Sequence, residues 1–352
     1  MRNVFTLNST KEKFAFICVH LRTLFFSFLL LLPATALANQ AAIATAHPLA
    51  TQAGEKVLRQ GGNAFDAAVA IAATLAVVEP YSSGLGGGGF FLLHRASDKF
   101  EVMIDARETA PLAATRDMYL DELGEVKENA SINGALSAGI PGLPAALEHV
   151  SNHYGELPFQ ENLLPAIQYA QQGFVVDAHY QKLARFRLPA LRESKAAAAI
   201  FLQNNDVPED GAVIRQPDLA ATLQRMAREG SAGFYRGDMA EKMLKAVRAQ
   251  GGIWSQDDLK NYRVIERAPL RGEYRGMKIT SAALPSSGGI ALLEMLNQLE
   301  MYDLQNMPRD QRLHFMVEAM RRAYRDRAAY LGDSDFVSVP VPQLIDKNYA
   351  AG

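Results

Sequence analysis

The stretch AFDAAVAIAATLAVV (residues 64–78) runs through EPYSSGLGGGG (79–89) into FFLLHR (90–95). From Ala67 to Val78 it is apolar on nearly every side of a helix. A helix without a polar face is buried in a protein core, and twelve residues are too few to cross a bilayer. Four consecutive glycines, Gly86–Gly89, then open an apolar strand. Phosphate-binding loops run the other way, from strand to helix, because the helix N-terminus supplies the free N–H groups. No Lys-Ser or Lys-Thr follows the glycines, so nucleotide binding is a poor reading. What remains is steric: residues without Cβ let another backbone or a ligand come close, with packing favoured over ligand contact.

Working outward, HPLATQAGEKVLRQGG (47–62) places Leu49, Ala53 and Val57 on one helical stripe stopped by Gly61-Gly62. Asn63 is positioned to cap the following helix. Downstream, KFEVMIDARET (99–109) alternates as a strand, with Phe100, Val102, Ile104 and Ala106 on one face, Glu101, Met103, Asp105 and Arg107 on the other, and Pro111 as its end. From Leu143 to about Gln250 the pattern is mainly helical, and GGIWSQDDL (251–259) adds a short helix capped by Ser255 with Asp258. GEYRGMKITSAAL (272–284) reads as strand, PSSGG (285–289) as turn and IALLEMLNQLEMYD (290–303) as helix. LPSSGGI (284–290) therefore runs from strand to helix, a better anion cradle through Ser286 or Ser287, or else an ordinary helix cap. A last helix, about Arg309 to Leu331, carries Leu313, Met316, Met320, Tyr324 and Leu331 on one stripe, with Arg327 among them. A buried partner is expected for Arg327, and Asp326 with Arg327 reads as part of structural ion pairing. His47 reads as a turn residue.

The 352 residues are 49% hydrophobic and 21% charged, enough for a well-buried core and unlike a disordered chain. Residues 1–38 differ from the rest, with basic Arg2, Lys11, Lys13 and Arg22, an apolar LFFSFLLLL, and Ala36-Leu37-Ala38 at the end. This is the pattern of a secretory signal peptide, which points to export, to the periplasm if the source is Gram-negative. The remainder, 39–352, holds 32 basic and 37 acidic residues, a net charge of −5 that argues against nucleic acid as a partner. The one cysteine, Cys18, lies in the leader, which leaves no thiol chemistry or disulfide for the rest. The seven histidines read as scattered, without a pair at the spacing of a helical metal site, and neither a metal nor another cofactor is expected.

Five motifs in order, GGNAFDAAVA (61–70), VVEPYSSGLGGGGF (77–90), MIDARETAP (103–111), LPSSGG (284–289) and DRAAYLGDSDF (326–336), resemble the large-subunit portion of γ-glutamyltranspeptidases, the glutathione hydrolases. The likeness extends from about His47 to Tyr349. It implies an N-terminal nucleophile hydrolase fold, an α/β/β/α sandwich that is incomplete without strands of a small subunit cut from the same precursor. It also implies transfer of a γ-glutamyl group from glutathione or similar compounds to water or an amino acid, by a new N-terminal Thr whose own amine is its base.

By the same resemblance, Arg107 holds the α-carboxylate of the γ-glutamyl donor, a task suited to the paired, planar donors of a guanidinium. From the residues alone, Arg107 could as well pair with Asp105 on its own strand face. The last threonine is Thr280, so the nucleophile is expected beyond Gly352, with no catalytic residue in this chain and no activity by the chain alone. Other readings are an inactive remnant or a non-catalytic binding protein, or an acylase of the same superfamily.

Overall fold

His47 opens the regular structure by capping helix α1 (Pro48–Arg59), its Nδ1 accepting the Leu49 N–H at 3.1 Å. Proline at the first helical position costs no hydrogen bond there, and Ala50, Ala53 and Val57 form the buried side. The computed structural model describes residues 41–351, and the regular structure among the described residues lies in one unit from Thr45 onward. The leader read at residues 1–38, with Cys18, lies outside the described residues.

Helix α2 (Ala64–Val78) has the expected Asn63 cap, completed by Asp66 in a capping box. Val69, Ala70, Ala73 and Val77 have no exposed surface, as an apolar helix requires. Asp66 is equally buried, and its carboxylate does more than cap. It accepts from the N–H of Asn63 (2.9 Å), the N–H of Glu156 (2.8 Å) and Nδ2 of Asn162 (2.8 Å). This fastens the start of α2 to the junction between α3 (Leu143–Tyr154) and α4 (Phe159–Gln172).

After the glycines come β1 (Gly89–Arg95) and β2 (Phe100–Ala106), paired antiparallel with Phe90 opposite Asp105. A short pair, β3 (Phe174–Val175) with β4 (Val213–Ile214), encloses α5 (Ala178–Glu193) and α6 (Lys195–Phe201). Helices α7 (Pro217–Glu229), α8 (Ala232–Tyr235), α9 (Gly237–Ala249) and α10 (Gln256–Asn261) follow, the last with the Ser255–Asp258 capping box read from sequence. Strand β5 (Ile265–Arg267) then pairs with the free edge of β2, giving a sheet ordered β1-β2-β5. Being central, β2 is buried on both faces from Val102 to Ala106, not on alternate residues. It also ends at Ala106, well before Pro111, so Arg107 has left the strand.

The segment 272–284, read as one strand, is a hairpin of β6 (Leu270–Tyr274) and β7 (Met277–Ser281). Arg275 and Gly276 both take positive φ (49° and 79°), the geometry of a two-residue turn whose twist matches its strands. Helices α11 (Gly288–Glu300), α12 (Arg309–Tyr330), α13 (Val341–Leu344) and α14 (Lys347–Ala351) complete the described chain, which is mixed α/β. A large core under α2, β2, α3, α4 and α7 is joined by a small one of Leu270, Leu284, Ile290, Leu293 and Leu344.

Helix α12 departs from expectation. Leu313, Met320 and Tyr324 are exposed, and the helix packs instead through Ala319, Ala323 and Asp326. Small side chains allow close approach to α11, whereas the larger stripe faces outward. Asp326 is buried and paired, but with Arg325 (3.0 Å) and the Tyr349 hydroxyl (2.9 Å). Arg327 is exposed, without the buried partner expected of it, and its Nε donates to Ser287 Oγ at 3.0 Å.

Beside Asp326, Glu294 of α11 is 3% exposed and neither carboxylate oxygen has a hydrogen-bond partner. Burial, with Asp326 adding to it, pushes its carboxyl up to about 7. The folded protein thus keeps this proton over a range, from the ordinary glutamate value of 4.5 up to about 7, in which the unfolded chain has released it. Where the native state binds more protons, stability falls as pH rises. Glu294→Gln is expected to stabilise the protein at pH 8 by at most about 3 kcal/mol, at ~1.4 kcal/mol per pH unit. The gain should vanish at pH 4, as read from urea midpoints at the two values.

Candidate substrate-binding site

The site is built around the end of β2. The Ala106 carbonyl lies against two glycine α-carbons, and a Cβ on either Gly88 or Gly142 would collide with it. Backbone N–H groups of Gly142 (2.9 Å) and Leu143 (3.0 Å) donate to the Gly87 carbonyl, locking the glycine run onto the start of α3. The run is therefore a close backbone approach, as its steric reading held. It also walls a cleft of about 600 Å³ together with Tyr81, Ser82, Arg107 and Glu108. Gly142→Ala, whose methyl would also meet the Tyr262 hydroxyl, is expected to cost about 2 kcal/mol by overpacking. Denaturant unfolding checks it.

The Arg107 main chain is fixed at both ends. Its N–H donates to Asp105 Oδ1 at 3.1 Å, and its carbonyl accepts from the Tyr262 hydroxyl at 2.8 Å. Leu112 N–H is bound by Asp258 Oδ1 at 2.7 Å, which ties down the loop that follows. The Arg107 side chain is 54% exposed, its guanidinium 5.9 Å over the Phe90 ring, with Nε 3.4 Å from Glu108 Oε2. Pairing between the Arg107 and Asp105 side chains does not occur. Asp105 Oδ2 is held by Arg267 Nε at 2.8 Å, and Arg267 also grips Asp335 through two bonds of 2.8 and 2.6 Å. The guanidinium beside Asp335 holds its carboxyl below the usual range, and Arg267 is raised in return.

This arrangement leaves one cation and one carboxylate facing a cleft, on a backbone anchored from three sides. The pair can receive a ligand group carrying both a carboxylate and an ammonium. Glu108 escaped sequence reading although it adjoins Arg107. Tyr262 and Arg267 had no local signal, lying some 160 residues away in sequence.

Ser286 accepts from Gly288 N–H at 3.3 Å, and Ser287 is engaged by Arg327, so an ordinary helix start is what LPSSGGI shows. Thr280 sits within β7, its hydroxyl 3.2 Å from Glu101, and is no chain terminus. His149 and His153, four apart on α3, form a pair that sequence reading overlooked. Among the described residues, no group of three His, Cys, Asp or Glu is placed to hold a metal ion.

A family model described as gamma-glutamyltranspeptidase matches residues 50–352. The glutathione hydrolase proenzyme of Pseudomonas sp. (strain A14) is 40% identical over 89% of this chain and 55% of its own length. The acylase ACY 1 proenzyme of Pseudomonas sp. (strain V22) is 38% identical over 90% of this chain and 58% of its own. The chain thus spans about half the length of the curated relatives it matches. The crystal structure of Helicobacter pylori gamma-glutamyltranspeptidase superposes with a TM-score of 0.85 at 40% identity, covering 88% of this chain and 89% of that one.

Proposed function

Because the chain belongs to the gamma-glutamyltranspeptidase family, we propose that it supplies the donor-binding half of an enzyme that transfers or hydrolyses the γ-glutamyl group of glutathione and related compounds. The observation that carries this is Arg107, immobilised in its backbone and half exposed in its side chain, with Glu108 beside it at the wall of a cleft.

In this reading Arg107 grips the donor α-carboxylate by two parallel N–H bonds, and Glu108 takes the α-ammonium beside it. The two contacts turn the γ-amide toward a nucleophile, a Thr hydroxyl at the head of a second segment of the precursor. The name proenzyme on the relatives supports a processed precursor, as does the contrast between 55% coverage of the Pseudomonas proenzyme and 89% of the solved Helicobacter chain. The outward apolar stripe of α12 supports a covering partner, since such a face in water calls for one. We assign the three-stranded sheet and the β6-β7 hairpin to an α/β/β/α sandwich completed by strands of that partner. Residues 39–352 form the large-subunit domain, and the leader at 1–38 directs export.

The test is release of the amine from a γ-glutamyl anilide by the full chain, alone and mixed with the second segment of a relative. Release only in the mixture is the expected result; turnover by the chain alone would refute the division of labour. The acylase relative favours a second reading, in which the cleft takes another acyl group. A glutaryl anilide, which lacks only the α-ammonium, separates the two. Glu108→Gln should erase most of the preference for γ-glutamyl over glutaryl, and an enzyme that prefers glutaryl from the start would support the acylase reading.

A further inference from the structure

A second cleft, of about 350 Å³, is lined by Tyr262 and not by Arg107. We propose that it is a binding site for a small multivalent oxyanion, one bearing two or more carboxylate or phosphate groups. The volume lies within the range of small-molecule sites, roughly 300–1,000 Å³. Its floor holds Tyr262 and Tyr235, parallel rings 5.7 Å apart that are both nearly buried and both tied by their hydroxyls to backbone carbonyls. Such a floor is rigid.

The rim carries Arg236, Lys260 and Arg263, all exposed, together with His149 and His153. Five acids near these cations have partners of their own. Glu229 and Asp238, on either side of Arg236 in sequence, are both bound to Arg225. Asp258, before Lys260, holds Ser255 and the Leu112 N–H. Glu148, the one carboxylate in the lining, accepts the Ser231 N–H at 2.9 Å. Glu266, next to the cleft, accepts from the Tyr154 hydroxyl at 2.6 Å and lies 2.8 Å from His149 Nε2.

Arg263 Nη1 donates to the carbonyls of Lys260 (2.9 Å) and Tyr262 (2.6 Å), which sets the guanidinium in place and leaves its other N–H groups uncommitted. Three like charges around one concavity repel one another, and a multivalent anion relieves that repulsion while bonding to each. A monovalent anion offsets only one of the three charges. The two clefts have no lining residue in common, Tyr262 reaching Arg107 only through its main-chain carbonyl, and this site does not rest on the proposed function.

Titration calorimetry on the full chain, with citrate and separately with pyrophosphate at constant ionic strength, tests the proposal. Saturable binding of at least one probe is expected, with acetate giving none, and the probe that binds tells carboxylate from phosphate chemistry. Lys260→Ala/Arg263→Ala should weaken it at least about tenfold, since each removed group is a charge-assisted donor. Both residues are exposed, so the variant should fold, and circular dichroism confirms that it does. Arg107→Ala should leave the binding unchanged. Absence of saturation with both probes, or equal affinity in the double variant, would overturn the site.

Discussion

Arg107→Ala is expected to lower kcat/KM for a γ-glutamyl anilide about a thousandfold in the enzyme reconstituted with its second segment. Each charge-assisted hydrogen bond contributes ~1.5–3 kcal/mol, and alanine removes two of them. Arg107→Lys restores the charge but not the planar fork, and should recover about one decade of that loss. The guanidinium fixes the donor both before and during attack, so KM should rise while kcat falls less. A variant with unchanged KM would remove Arg107 from the donor site. Either variant should fold, because the side chain is half exposed, its one ion pair with Glu108 lies at the surface of the cleft, and its buried ties are made by the main chain.

Asp66→Ala is expected to cost about 4 kcal/mol of folding stability, the range for breaking a buried, charged hydrogen-bond network. Four donors would lose a buried acceptor, three of them from the α3–α4 junction and the start of α4, some 90 residues further along the chain. Asp66→Asn keeps the shape and one oxygen, and should cost less than half as much. The urea midpoint of each variant at pH 7 gives the comparison, and a loss below about 1 kcal/mol for alanine would show that Asp66 is only a helix cap.

Much of the architecture was legible because its signals are local. The Ser255–Asp258 capping box forms as read, and so does the Asn63 cap, to which the structure adds Asp66 three residues on. The glycine run followed from a rule of order, helix before strand, that excluded a phosphate loop without knowledge of neighbours. The hairpin turn at Arg275-Gly276 was missed through its composition: an arginine at positive φ is not the residue that announces such a turn. For α12, amphipathic spacing identified the helix but chose the wrong buried side. Its largest apolar residues face outward, and alanines make the contact with α11.

The amino-acid sequence by itself determined the family, the buried character of α2 and the close backbone approach within the glycine run, which Gly88 makes against the Ala106 carbonyl. These rest on spacing along the chain and on what one residue does to its own backbone. Only the tertiary structure decided what Arg107 is free to do. That freedom depends on Arg267, which crosses 162 residues of sequence to occupy Asp105, and on Tyr262, which holds the Arg107 carbonyl from 155 residues away. Competition among charges for partners is settled by which groups the fold brings within 3 Å, and spacing in sequence does not encode that distance.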